Sequence, residues 1–474
     1  MDFNYDEVMR VVEEDRLSGF PDELIHKIFS CFDMKFVVQT CFLSSRWKLL
    51  WTSMPYLNFS TDRFPDLQKF DEFAAHVLSH RNHQSEVSSV KLHFKRAENL
   101  GFFKNIASYA LSHNVQNLTI DGTTSSKDDY PPCLFSSRSL KQFTLSCEFY
   151  RHRSTTITSL NFPALTTLNL TRIYLCGEVF STCVNLKNLT LKRFWVEGRE
   201  KAFDIITPRL SNLTLIDDDY ISKSTVNVIA PQLENLTIIR CNIKYINAPP
   251  GLSSFCYRSP SWSIGAPQFT NDPFHSLNKV TIGLYFSWSP YTKEHARKTI
   301  SMLQKLHSAR HVTLDWEVAE CISSFPDLLS HHPSPFSNLI CLMIDCSRRN
   351  NVAYEVKIST EAKNFFLGNS PNATFIMEVP EKSRSNVTSF ISGQTNAGAP
   401  PPATGDTYVS LFIINCALYY LKTRAFEFLF YPFGFDYVTH LTCWSQKRWN
   451  AGFVAKIRNE AAMKRIVCQH FNKV

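Results

Sequence analysis

A six-residue phrase recurs along the middle of the chain and restricts its fold more than any other feature. Apolar residues stand at its first, fourth and sixth positions. It reads Val87/Val90/Leu92, Val115/Leu118/Ile120, Leu140/Phe143/Leu145, Leu165/Leu168/Leu170, Leu186/Leu189/Leu191 and Leu210/Leu213/Leu215, then Leu233/Leu236/Ile238, Leu252/Phe255/Tyr257, Leu277/Val280/Ile282, Ala309/Val312/Leu314 and Leu339/Leu342/Ile344. The eleven phrases span 252 residues in ten steps, about 25 per step. Positions four and six are two apart, so on an extended strand both side chains point into the same core, while position one closes the layer below. A single unit cannot bury such a face alone. Neighbouring units must stack their strands in parallel and share one continuous core.

A step in the range of about 20–29 residues, with this phrase, is that of leucine-rich repeats. The expected fold is α/β: a curved solenoid with parallel strands on its concave face. The usual Asn or Cys three residues past the phrase is met clearly only by Cys241. The steps from Val280 to Val312 and from Val312 to Leu342 stretch to 32 and 30 residues. The convex returns are therefore expected to mix helix, short 3₁₀ turns and loop. Residues 364–380 look like a closing repeat, with a helix through Phe366–Leu367, a turn at Ser370-Pro371-Asn372 and a last strand.

Between the core positions lie residues expected to point outward. They are Asn117 and Thr119, Gln142 and Thr144, Thr167 and Asn169, Asn188 and Thr190, Asn212 and Thr214, and Asn235 and Thr237. One reading of this neutral ladder is β propensity with amide stacking between strands. The other is a polar strip that recognises a protein or a small ligand by hydrogen bonding. The same residues create Asn-Leu-Thr sequons at Asn117, Asn169, Asn188, Asn212 and Asn235, which raises a remote alternative, an extracellular repeat glycoprotein. Against it, the N-terminal stretch is acidic and lacks the apolar core of a secretory signal.

Composition excludes further classes. Fourteen Gly in 474 residues is about 3%, under half the usual ~7%, and no phosphate-cradling Gly-rich loop is found. A net charge of +8 spread over the chain is far from a nucleic-acid-binding face. Fourteen cysteines show no Cys-x-x-Cys pair, which suits reduced thiols in the cytoplasm or nucleus rather than a disulfide framework or zinc ribbon. His331 and His332 lack neighbouring ligand residues, and Asp217-Asp218-Asp219 reads as a solvated loop. No catalytic, metal or cofactor site is expected.

Residues 15–59 differ in kind. Pro21, Asp22 and Glu23 form a helix start, since proline suits the first turn and two acids complement its dipole. Leu24, Ile25, Ile28, Phe29 and Phe32 make one helical stripe. A second helix is expected over Phe36–Leu43 and a third from Ser45, as N-cap, through Arg46, Trp47, Leu50 and Trp51. Three short helices carry more large apolar residues than so small a core can hide. Leu17, Phe20, Pro21, Leu24, Trp47 and Trp51 therefore read either as a docking face or as packing against the next domain.

This segment resembles the F-box of plant F-box/leucine-rich-repeat proteins, and shares Asp15, Arg16, Leu17, Ser18, Pro21, Asp22, Leu24, Ile25, Ile28, Lys35, Val38, Thr40, Leu43, Ser44, Arg46, Trp47, Leu50 and Trp51 with that pattern. It departs at Phe20, Cys41 and Ser45. The resemblance implies a non-catalytic, substrate-recognition subunit of an SCF-type cullin–RING ubiquitin ligase, docking to a Skp-family adaptor. The adaptor contacts would be Leu17, Phe20, Pro21, Leu24, Ile25, Ile28, Val38, Trp47, Leu50 and Trp51. An unknown protein substrate would bind the outward ladder residues Asn117, Thr119, Thr167, Asn169, Asn188, Thr190, Asn212, Thr214, Asn235 and Thr237. The alternative is a repeat scaffold outside the ubiquitin pathway, with the helices as a cap.

The expected division is 1–14 as a flexible N-terminus, 15–60 as F-box, 61–86 as a helical linker and 87–380 as the solenoid. Residues 381–407 read as a Ser/Gly/Pro-rich linker and 408–474 as a tail of unassigned role. The apolar run Tyr408–Leu421 is 14 residues long, short of the ~18 of a membrane span. The C-terminal FBD module of many such proteins finds no match there.

Overall fold

The computed structural model describes residues 19–378 except 43–44, 98–99, 125–129, 150–155, 177, 197–202, 218–223, 242, 260–267, 270–273, 285–290, 348–355 and 357. Leu17, Asp218, Asp219, the linker 381–407 and the tail 408–474 lie outside the described residues. The chain divides into two compact units, with a boundary between Trp51 and Thr52.

The described part of the first unit is helical. Helix α1 (Asp22–Phe29) starts where Pro21 requires it, and Pro21 O accepts the amides of Leu24 and Ile25. Helix α2 spans Met34–Gln39 and continues into a 3₁₀ turn over Thr40–Phe42. It begins before the expected Phe36 because the Asp33 carboxylate takes the Phe36 amide at 3.0 Å, an N-cap bond. Helix α3 (Trp47–Leu50) follows Arg46, so Ser45 is not its cap.

The second unit is built on one 13-stranded sheet. Its strands are β1 (Tyr56–Ser60), β2 (Ser89–Ala97), β3 (Asn117–Thr124), β4 (Gln142–Phe149), β5 (Thr167–Thr171), β6 (Asn188–Lys192), β7 (Asn212–Ile216), β8 (Asn235–Ile239), β9 (Ser254–Ser259), β10 (Lys279–Leu284), β11 (His311–Asp315), β12 (Cys341–Asp345) and β13 (Thr374–Glu378). Each pairs in parallel with the next, and equivalent phrase positions face one another: Leu213 opposes Leu189 on one side and Leu236 on the other. Every apolar residue of the eleven phrases is at most 6% exposed. The chain thus has the leucine-rich-repeat architecture.

The sheet starts one strand before the first phrase. Tyr56–Ser60 pairs with Ser89–His93, and helix α4 (Leu67–Ser79) crosses between them. Residues 61–86 therefore form the return of a first repeat rather than a linker. Arg81 braces this repeat: its guanidinium, 3% exposed, donates to Met54 O and Tyr109 Oη.

Repeat length decides what returns across the other side. Helix α5 (Gly101–Ser112) fills the step from Val90 to Leu118, and α6 (Lys293–Lys305), α7 (Trp316–Ser323), α8 (Pro326–Leu329) and α9 (Thr360–Leu367) fill the long steps after β10, β11 and β12. Between β4 and β10 the steps are shorter, and the returns hold short parallel strands instead, in a three-stranded and a four-stranded sheet. A helix of 12 residues covers about 18 Å, and a step of some 20–25 residues has no chain left for one after its strand and two turns. The expected mixture of helix, 3₁₀ turn and loop thus also contains strands. The closing repeat is as expected, with α9, the turn anchored by Ser370 Oγ on Phe336 O at 3.0 Å, and β13.

Candidate adaptor face and outward sheet surface

The helical unit separates the expected contact residues into two groups. Ile25, Ile28, Trp47, Leu50 and Trp51 are at most 9% exposed, so they do not form an open face. The reason is local for Trp47, whose indole meets the Phe29 ring edge to face at 5.3 Å. Pro21 is exposed, and Phe20, Leu24 and Val38 are half-buried. The largest exposed apolar groups were not singled out from sequence. They are Phe42, 85% exposed on the 3₁₀ turn, and Leu49, 68% exposed on α3, which packs on that turn. Their solvent-facing positions follow from helix phase: Leu50 and Trp47 turn inward, which leaves Leu49 outside.

Polar contacts hold the three helices together. Arg46 donates to Phe20 O at 2.7 Å and pairs with the Asp22 carboxylate at the start of α1. His26 Nε2 lies 3.1 Å from Leu50 O, tying α1 to the end of α3. The exposed apolar groups are thus carried on a braced scaffold.

On the sheet, the outward residues alternate with the core as expected, and they bond one another across strands. Asn235 Nδ2 donates to Asn212 Oδ1 at 2.7 Å, Asn212 Nδ2 to Asn188 Oδ1 at 2.7 Å and Asn188 Nδ2 to Thr167 Oγ1 at 3.2 Å. One column inward, Asn169 Nδ2 donates to Thr144 Oγ1 at 3.1 Å. Asn117, Thr119, Thr167, Thr190, Thr214 and Thr237 are half-buried on the same face. Each of these four amides spends one of its two N–H donors within the sheet, which leaves the second N–H, the hydroxyls and spare lone pairs for a ligand.

Further along, the sheet carries charge that spacing did not announce. In the column two residues past the Thr positions, Arg258, Gly283, Asp315 and Asp345 stand side by side on β9 to β12. Arg258 Nη2 lies 3.7 Å from Asp315 and 3.8 Å from Asp345, all three side chains nearly buried. Gly283 makes this possible: a Cβ there would sit 2.3 Å from Asp315 Oδ2 and 3.0 Å from Arg258 Cγ. The signal for this cluster lay in register, which requires the strand pairing.

Other marked residues have plain structural settings. Asp217 is buried, and His332 Nδ1 lies 3.3 Å from Gln304 Nε2. Among the described residues, no group of three or more His, Cys, Asp or Glu is placed to hold a metal ion. No helix among them is long and apolar enough to cross a membrane.

Residues 17–59 match the F-box domain family. An F-box/FBD/LRR-repeat protein of Arabidopsis thaliana is 25% identical over 357 residues, covering 72% of this chain and 70% of that protein. F-box/LRR-repeat protein 25 of the same plant is 28% identical over 192 residues, 38% of this chain and 67% of its own length. An FBD-associated F-box protein from Arabidopsis is 30% identical over 213 residues, 42% of this chain and 52% of that one. The chain thus carries an F-box domain followed by a leucine-rich-repeat sheet, and is similar to the F-box/LRR-repeat proteins of this plant.

Proposed function

We propose that this protein is the substrate-recognition subunit of an SCF-type cullin–RING ubiquitin ligase, its F-box docking to a Skp-type adaptor and its repeat sheet holding the target. F-box domains bind such adaptors in general. The observation that carries the reading is the pair Phe42 and Leu49, two large apolar side chains held in solvent on adjacent elements of the F-box. Apolar anchors of this kind supply most of the energy of a helix-in-groove contact. Phe20, Pro21, Leu24 and Val38 complete the open set, while Ile25, Ile28, Trp47, Leu50 and Trp51 act by holding the scaffold. The chain itself performs no chemistry in this role; it brings a target to the ligase.

The target side of the proposal rests on the outward face. Thr119, Thr190, Thr214 and Thr237 offer hydroxyls beside the asparagine ladder, a surface that reads hydrogen-bonding shape and tolerates salt. Co-expression of the full chain with a Skp-type adaptor, followed by gel filtration, tests the assignment. A one-to-one complex is expected, and adaptor eluting apart from a folded chain would overturn it.

A further inference from the structure

One repeat of the sheet carries a local excess of positive charge. Residues 274–313 contain Lys279, Lys293, Arg297, Lys298, Lys305 and Arg310 against a single acid, Glu294, a net +5. Arg297 and Lys298, on α6, lie 3.8 and 3.6 Å from Glu294. Arg310 and Lys279 stand elsewhere, at the starts of β11 and β10. Among the described residues no carboxylate pairs with Arg310.

Arg310 lines a groove of about 550 Å³ at these strand starts, with His275, Asn278, Ser308 and Asn338. None of its lining residues among the described ones is acidic; Asp272, three positions before His275, lies outside the described residues. The walls are fixed by backbone bonds, His311 N to Asn278 O at 2.8 Å and Ile340 N to Arg310 O at 2.7 Å. Ser308 Oγ donates to Phe274 O at 2.5 Å and accepts from Leu277 N at 3.3 Å, which pins the floor. Lys279 and His311, register partners on β10 and β11, are exposed beside it. The Arg310 guanidinium, with imidazole and amide groups lining the same groove and the Lys279 ammonium exposed on the neighbouring strand, matches the oxygens of a carboxylate or phosphate.

We infer that this groove binds a short acidic segment of another polypeptide, with its carboxylate or phosphate oxygens on Arg310 and Lys279. The groove belongs to the repeat unit and is independent of the adaptor reading; within that reading the segment belongs to the target. A nucleic-acid strand fits less well. The next stretch, residues 314–345, holds Asp315, Glu317, Glu320, Asp327 and Asp345 with no Lys or Arg, so a polyanion running across repeats would meet repulsion. A short oxyanion would not.

The test is fluorescence anisotropy on the full chain with three labelled dodecapeptides: one with four Glu, its all-Gln counterpart, and one with a phosphoserine replacing a Glu. The Glu or phosphoserine peptide is expected to bind at least tenfold more tightly than the Gln peptide, and to weaken as salt rises. Equal affinity of the two acidic peptides assigns carboxylate recognition, and a preference for phosphoserine assigns phosphate. Arg310→Glu and the milder Arg310→Gln should each cost about tenfold or more with the thermal midpoint unchanged, whereas Lys293→Glu/Arg297→Glu on α6 should cost less than about threefold. Three results would overturn the inference: no preference over the Gln peptide, equal losses from the α6 pair, or a twelve-residue oligothymidylate binding as tightly with the same dependence on Arg310.

Discussion

At the scale of single residues, two features rest on close approach. Gly283 leaves room for Arg258 to reach Asp315 and Asp345 across it. Gly283→Ala should destabilise the repeat unit by about 1–3 kcal/mol, the usual cost of overpacking, read as a lower urea midpoint. Asn212 donates to Asn188 and accepts from Asn235. Asn212→Ala removes both bonds and should cost about 1–3 kcal/mol, since partner groups are left half-buried and unsatisfied. An unchanged midpoint would show that the ladder is held by solvent instead. Thiols give a further check. Burial raises Cys183 to about 11 and Cys321 to about 12, so at pH 8 both stay protonated, while Cys31 and Cys133 are exposed. Mass spectrometry after brief alkylation of the native protein should find label on Cys31 and Cys133, and none on Cys183 or Cys321. The outward direction of the asparagines was readable from their spacing. Their bonds to each other and the Arg258 cluster were not, because both depend on which residues become register partners.

At the scale of elements, strand positions were legible because a two-residue alternation has one interpretation beside a buried layer. Truncating one core position should therefore be costly: Leu213→Ala, at 1% exposure, is expected to lower stability by about 2–5 kcal/mol, measured by chemical denaturation. The short helices of the F-box were harder to read. An apolar stripe looks the same whether it faces a core or a partner, so Ile25, Trp47 and Leu50 were indistinguishable in sequence from residues left open. Phe42 was read only as an apolar position of the second helix, and Leu49 lay off the Trp47/Leu50/Trp51 set, so neither was marked as a contact. The Asp33 cap was missed too, since the second helix was expected to start only at Phe36. Return elements followed step length: α-helices where about 28 or more residues separate strands, short strands or, between β3 and β4, a 3₁₀ turn over Pro132–Phe135 where fewer do.

At the scale of the molecule, the chain pairs a small unit that presents apolar anchors with a long sheet that presents polar ones. Burying Phe42 and Leu49 contributes about 1.5–3 kcal/mol each, together about 3–6 kcal/mol, which is roughly a factor of 10²–10⁴ in affinity. Because both side chains are already in solvent, replacing them should leave the fold intact, in contrast to Trp47→Ala, which opens the F-box core. The most direct measurement is a calorimetric titration of a Skp-type adaptor into the full chain and into Phe42→Glu/Leu49→Glu, with thermal melts alongside. A loss of at least about a hundredfold in affinity at an unchanged melting temperature is expected; equal affinity for the two proteins would contradict docking through Phe42 and Leu49.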